Sequence, residues 1–316
     1  MEYTTDQRTP RYAMDRGKTL IEALPWLKEV TGKTIVIKYG GAAMENRKLM
    51  DQVMNDVVLL KLLGARPVLV HGGGKAVSAA MKQAGIPVEF KDGMRVTTPE
   101  AMEIVRQVLV GTVNATLVQA INVHGALAVG LSGMDANTVV GEPMSEELGR
   151  VGKVTKVNAE YLLDLLASER IPVLSSIASD GQGGCLNVNA DIVAGEVAAG
   201  IGAHKLIYIT DVDGIYEDFS DKSTLISSMT VEEAQGLLDS GDFDKGMIPK
   251  VGSSVRALSA GVPRAHVING IRQHSLLTEV LTDSGVGTMI YRDDHKRTSK
   301  DFTPAPLAPL AERLTE

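Results

Sequence analysis

One cysteine, Cys185, stands among 316 residues. A lone thiol excludes an internal disulfide framework and a cysteine-based zinc site, and Cys185 reads as a small packed side chain rather than a nucleophile. Aromatic residues are scarce at 4%, which argues against surfaces that stack bases. The formal net charge of −7 opposes nonspecific polyanion binding, so no nucleic-acid partner is expected. The pattern shows no apolar run of membrane-spanning length, and residues 1–10 are polar with no signal-peptide core. No membrane partner and a cytoplasmic location are therefore expected. The common nucleotide motifs are missing as well. Leu69 stands where G-x-x-x-x-G-K-[ST] needs its first glycine, and Ala76 follows Lys75. Val77 stands where G-x-G-x-x-G needs its last glycine, Asp242-Phe243-Asp244 is not D-F-G, and no H-R-D occurs.

What is present is a core-forming chain with 44% apolar residues, long enough for one large or two medium domains. Short apolar runs at 34–37, 68–70, 126–131, 171–174, 206–209 and 265–268 read as buried strands. Amphipathic segments at 49–63, 76–83, 192–201 and 249–260 read as helices between them. Thr98-Pro99-Glu100 is a helix start. Met102, Val105, Leu109, Val113, Thr116 and Ala120 then recur at helical spacing and read as a core face. Segments around 139–140 and 151–157 resemble a hairpin. The pattern predicts an α/β fold: a three-layer αβα sandwich with a mainly parallel open sheet. It has two lobes, 31–203 and 204–292, meeting near Gly202-Ala203-His204. Residues 1–30 form an extension. Thr19 with Glu22 fits a capping box, Leu20, Ile21, Leu24 and Leu27 give an apolar face, and Pro25 kinks the helix. That face packs either on its own domain or on a partner, as an oligomerisation arm. Residues 293–316 are charged and contain proline, which reads as a mobile tail.

The chemistry starts at Val70-His71-Gly72-Gly73-Gly74-Lys75. Three glycines after a buried strand let backbone N–H groups approach an anion, and the helix that follows adds its positive end. Lys38, followed by Gly40-Gly41, ends the first strand, so two glycine turns and a lysine converge at the carboxyl ends of the sheet, where ligands gather in open α/β folds. Arg95 lies in an extended segment before a helix and suits a carboxylate. Asn187-Val188-Asn189-Ala190-Asp191 puts two amides on one strand face with Asp191 opening a helix. Thr210-Asp211-Val212-Asp213-Gly214-Ile215-Tyr216 is a turn at a strand end. Lys250 sits at a helix start, where the dipole repels it unless an anion is near.

Together these segments, spanning residues 15–292, resemble the amino-acid kinase family. Within it they resemble the arginine-inhibited branch that acts on N-acetyl-L-glutamate. Tyr39, where leucine is usual, is a minor departure. The resemblance implies ATP-dependent transfer of a phosphoryl group to the substrate's side-chain carboxylate, in arginine biosynthesis. Lys38 and Lys250 would stabilise the group in flight, and Asp191 would organise them. Gly73, Gly74, Arg95, Asn187 and Asn189 would hold the acyl amino acid in the N-terminal lobe. Gly40, Gly41, Asp211, Gly214, Ile215, Tyr216, Asp242, Phe243 and Asp244 would flank ATP on the C-terminal side. Mg2+ would be carried mainly by the nucleotide phosphates, with no protein metal site. His274, Glu279 and Gly287 would contact an L-arginine effector, and the extension would link a homohexamer built as a trimer of dimers. Two alternatives stay open: a carboxylate kinase of the glutamate 5-kinase or aspartokinase type, and a non-catalytic amino-acid sensor. No appended domain after residue 292 disfavours the first. The presence of Lys38, Asp191 and Lys250 opposes the second.

Overall fold

The computed structural model describes residues 18, 20–41, 44–240, 246–282 and 285–293. Thr19 of the capping box, Asp242, Phe243 and Asp244, most of the N-terminal arm and the tail beyond 293 lie outside the described residues.

Eight strands form the central sheet: β1 (Thr34–Tyr39), β2 (Arg66–His71), β3 (Ala128–Ser132), β4 (Ile171–Ser175), β5 (Lys205–Thr210), β6 (Ser228–Thr230), β7 (Arg264–Asn269) and β8 (Thr288–Tyr291). Their order is β6-β8-β7-β5-β1-β2-β4-β3. The six strands from β7 to β3 run parallel, and β8 lies antiparallel to β7 and parallel to β6. The mainly parallel sandwich expected from the sequence is thus observed. Its physical basis is the side-chain alternation of the inner strands. Val36, Val68, Val70, Leu206 and Tyr208 enter one buried cluster, while Ile35, Ile37, Leu69, Ile207 and Ile209 enter another. Both faces are covered, so these strands read as unbroken apolar runs.

The helices are α1 (Leu24–Val30), α2 (Arg47–Leu62), α3 (Gly74–Gln83), α4 (Pro99–Asn122), α5 (Glu160–Ala167), α6 (Ala190–Gly200), α7 (Val231–Ser240), α8 (Ile248–Ser259) and α9 (Ser275–Leu281). Thr98 caps α4 through the N–H of Ala101, with Pro99 in the first turn, as the sequence predicts. Pro25 does not kink a continuous helix. It stands in the first turn of α1, where its missing N–H costs nothing, and a turn at Ala23 separates α1 from the helical residues 20–22.

Helix α4 differs most from its sequence reading. Its middle, Gln107–Asn114, is π-helical. At 24 residues with mean hydropathy 1.4 it is long and apolar enough to cross a membrane, by length and composition. Residues 107–123 carry no charge, a run the strand-and-helix pattern understated. Its buried side packs instead on the sheet and on the cavity described below.

A second sheet of four strands, Cys185–Asn187, Ile177–Ser179, Val139–Pro143 and Gly152–Val157, sits beside the first. The expected hairpin is its pair Val139–Pro143 with Gly152–Val157, antiparallel and bulged between Val140 and Gly141.

Candidate active site

The carboxyl ends of β1 and β2 lie side by side, with Lys38 in register with Val70 and Tyr39 with His71. The two glycine turns that follow therefore meet. They open into a cavity of about 530 Å³ that Lys38, Gly40, Gly41, Gly72, Gly73, Gly74, Arg95, Asn187, Asn189 and Asp191 help to line.

Gly73 is the N-terminal cap of α3, so that helix directs its positive end at the turn. A Cβ on Gly73 would come within 2.7 Å of Leu109 Cδ2, and one on Gly40 within 2.5 Å of the Lys38 ammonium. Gly41 holds φ +78, a left-handed conformation that favours glycine.

Asp191 is the electrostatic centre. Its Oδ1 lies 2.9 Å from Lys38 Nζ and its Oδ2 lies 3.2 Å from Lys250 Nζ. Burial pushes this carboxyl up, but the two ammonium groups outweigh burial and hold it below the usual range. The sequence raised an N-cap role for Asp191. The cap is Asn189, whose Oδ1 accepts the N–H groups of Asp191 and Ile192. This leaves the Asp191 carboxylate for the lysines. The dipole conflict at Lys250 is offset by the same carboxylate, and Lys250 also donates to Gly246 O at 3.1 Å. The two amides are not on one strand: Asn187 ends its strand and donates to Thr97 Oγ1 at 3.1 Å, while Asn189 lies beyond it.

Arg95 is buried and held entirely by neutral groups among the described residues. It donates to Gly74 O at 2.7 Å and Ser78 Oγ at 2.8 Å, touches Met81 Sδ at 3.6 Å, and lies 4.7 Å over the Phe90 ring. Burial alone pushes its pKa down. A buried guanidinium with no carboxylate beside it, at a cavity wall, suits an anionic ligand group.

The Asp211–Tyr216 turn is not in the cavity lining among the described residues. It stands at the carboxyl end of β5 and touches the site through Gly41, whose Cβ would lie 3.6 Å from Asp211 N. Asp213 accepts from Asn269 Nδ2 at 2.7 Å and Arg272 Nη2 at 2.8 Å, and these bonds hold its carboxyl below the usual range. A Cβ on Gly214 would sit 2.5 Å from Thr288 Oγ1, the hydroxyl that accepts the Ile215 N–H. Lys222 Nζ stacks on Tyr216 at 4.5 Å and on Phe219 at 3.4 Å.

Sequence reasoning missed part of the wall. Leu109, Val113 and Thr116, read as a core face, line the cavity together with Thr112. A stripe of that composition carries no signal separating core from cavity.

The three residues assigned to an effector lie elsewhere. Glu279 is buried and turned inward, with Oε1 2.6 Å from His266 Nδ1 and Oε2 accepting from Val286 N and Gly287 N. Burial pushes its carboxyl up, yet His266 and those N–H groups bring it down to about 2. His274, at φ +55, caps no N–H with its side chain and lies 2.7 Å from Asp56 Oδ1. A Cβ on Gly287 would come within 2.1 Å of Val267 O.

The profile of the Amino acid kinase family matches residues 33–269. The chain is 48% identical over 276 residues to the acetylglutamate kinase of Nostoc sp. (strain PCC 7120), covering 87% of this chain and 93% of that one. It is 46% identical to the acetylglutamate kinase of Bifidobacterium longum (strain DJO10A), covering 92% and 94%. Among solved structures it resembles N-acetylglutamate synthase from Neisseria gonorrhoeae complexed with coenzyme A and N-acetyl-glutamate, with TM-score 0.78, 25% identity, and coverage of 88% of this chain and 63% of that one. Giardia carbamate kinase shares the fold at TM-score 0.65 and 15% identity, over 83% and 99% of the two chains.

Proposed function

Because this chain belongs to the amino acid kinase family, we propose that it catalyses the reaction its curated relatives are named for. It is a kinase with a carboxyl group as acceptor: it phosphorylates the side-chain carboxylate of N-acetyl-L-glutamate at the expense of ATP, a step of arginine biosynthesis. One carboxylate oxygen attacks the γ-phosphorus, the bond to the β-phosphate oxygen breaks, and ADP leaves with that electron pair.

The observation that carries the reading is the Lys38–Asp191–Lys250 array, in which Lys38 and Asp191 line a glycine-rich cavity and Lys250 joins them through Asp191. A side-chain carboxyl with pKa near ~4.3 is ionised at neutral pH, so the nucleophile needs no general base. Positioning and positive charge around the equatorial oxygens are what the protein must supply. Lys38 and Lys250 supply the charge, while Asp191 offsets their mutual repulsion and keeps the two ammonium groups aimed. Arg95 takes the α-carboxylate, with Asn187, Asn189, Gly73 and Gly74 around the acyl amino acid. Both Asp191 oxygens already face ammonium groups, so the donor set fits Mg2+ entering on the nucleotide phosphates. Gly40, Gly41 and the turn of Asp211, Gly214, Ile215 and Tyr216 flank that nucleotide. Residues 31–203 form the acyl-substrate lobe and 204–292 the nucleotide lobe, acting in the cytoplasm.

The test is an ATP-dependent hydroxamate assay with N-acetylglutamate, glutamate and aspartate. Acyl phosphate is expected from N-acetylglutamate. Activity only with unacetylated glutamate would sink the substrate assignment, and none with any acceptor would sink catalysis.

Feedback inhibition by L-arginine and a hexameric trimer of dimers form part of the same proposal. Leu20 and Ile21 support it, since they are 71% and 70% exposed on the N-terminal helical segment. Glu279 then acts by holding Val286 and Gly287 in place. Replacing Leu20 and Ile21 by Glu should shrink the particle on gel filtration and weaken arginine inhibition. A hexamer with unchanged inhibition would contradict the arm.

A further inference from the structure

His71 is wholly buried beneath the glycine turn, and nothing in the reaction outlined above uses it. Its surroundings fix its chemistry. Asn114 Nδ2 lies 2.7 Å from Val173 O, a backbone acceptor, and 3.4 Å from Leu131 O, a second one. The amide nitrogen must therefore be the group facing those carbonyls, because the reversed amide would set oxygen against oxygen. The same nitrogen lies 2.9 Å from His71 Nε2. An amide nitrogen only donates, so Nε2 accepts and the proton of the neutral ring stands on Nδ1. Nδ1 lies 2.9 Å from Gly72 O and donates to it.

That bond orients a peptide. No peptide bond among the described residues is cis, and in a trans peptide the C=O and the following N–H point in opposite directions. With Gly72 O drawn toward the buried imidazole, the N–H of Gly73 points away from it, and Gly73 is among the residues that line the cavity. Two features of the packing exist to allow this. The π-helical stretch brings Asn114 inward, out of the surface register of its neighbours Val110, Gly111 and Ala115. Gly130 makes room, since a Cβ there would come within 2.1 Å of Asn114 Oδ1.

We propose that His71 is a positioning residue for phosphoryl transfer: locked by Asn114, it holds the Gly72–Gly73 peptide with its N–H presented to the transferring group. This rests on the kinase reading above. Burial pushes the His71 pKa down to about 4, which agrees with a ring that stays neutral at working pH.

The test compares the full-length protein with His71→Leu and His71→Asn in the hydroxamate assay with N-acetylglutamate, alongside thermal unfolding and ¹⁵N NMR of labelled histidine. His71→Leu should lower kcat by about ten- to a hundredfold, the range of one lost donor, with both KM values within about threefold. His71→Asn places an amide N–H where Nδ1–H stood and should recover most of the loss. In the wild type, the His71 proton should be on Nδ1. Equal losses in both variants, an unchanged kcat in His71→Leu, or a proton on Nε2 would each overturn the proposal. The NMR result decides should a variant not fold. A wild-type enzyme that makes no acyl phosphate would instead overturn the kinase reading and leave the Nδ1 tautomer to be judged by NMR alone.

Discussion

Gly195 of α6 lies against Ser253 of α8 so closely that a Cβ on Gly195 would sit 2.8 Å from Ser253 Cβ and 2.9 Å from Ser253 O. This contact sets the distance between the two helices whose first turns carry Asp191 and Lys250. Tyr208, in β5 between them, ties both together: its hydroxyl donates to Asp191 O at 3.2 Å and lies 2.6 Å from Ser253 Oγ. The 3.2 Å approach of Lys250 to Asp191 is thus a consequence of helix packing well inside the protein. Gly195→Ala should force the helices apart, because the obstacle is backbone as well as side chain. A loss of about 1–3 kcal/mol in denaturant unfolding is expected, with a fall in kcat as Lys250 withdraws. A stable variant of unchanged kcat would show that the helix spacing does not place the lysine.

Removing charge at the array itself separates roles. Lys38→Met and Lys250→Met should each lower kcat by about 10²-fold or more, the scale seen for lost transition-state donors, with a smaller effect on KM for the acyl amino acid. Asp191→Asn leaves two nearby ammonium groups without their shared counter-charge. It should cost both turnover and about 3–5 kcal/mol of stability, the scale for breaking a buried ion pair. Should Asp191→Asn unfold like the wild type, the repulsion between the lysines is offset by something other than this carboxylate.

Arg95 tests substrate recognition. Its planar donors are fixed by Gly74 O and Ser78 Oγ, with the Phe90 ring beneath. Arg95→Lys keeps the charge and loses the fork, so KM for N-acetylglutamate should rise by about tenfold or more while KM for ATP stays near its wild-type value. A matching rise for ATP would place Arg95 on the wrong ligand.

The inner strands were legible because each is buried on both faces, which makes Ile35–Ile37 and Val68–Val70 apolar without alternation. The edge strand Ser228–Thr230 and its neighbour Thr288–Tyr291 were not read, being short and mixed with polar residues. Helix α5 escaped because it is only eight residues long, and its four leucines form a short apolar run that periodicity alone does not assign. At the site, Lys38, Lys250 and the glycine turn were legible one by one, since each carries its chemistry locally. The link from Asn114 to His71 was not, because it depends on a π-helical stretch that departs from the 3.6-residue period. Glu279 was legible as a carboxylate and misleading as an open one, since its partner His266 comes from β7, 13 residues away.

Glu279 also makes the acid stability of the region around β7 and α9 measurable. Its folded pKa of about 2 lies below the ordinary 4.5, so between those values the unfolded chain binds the extra proton. The stabilisation is therefore complete above pH 4.5 and is lost as the pH falls toward 2, by an amount on the order of 3 kcal/mol. Glu279→Gln removes the titration but keeps an acceptor for Val286 N and Gly287 N. The gap in urea-unfolding free energy between wild type and Glu279→Gln should be widest near pH 6 and narrow steadily as the pH is lowered from 4.5 to 3. His71, whose pKa burial depresses to about 4 from 6.5, adds its own loss between those values, but to both proteins, so it drops out of the difference. A gap that stays constant from pH 6 to pH 3 would mean that the buried pair with His266 does not hold this carboxylate ionised.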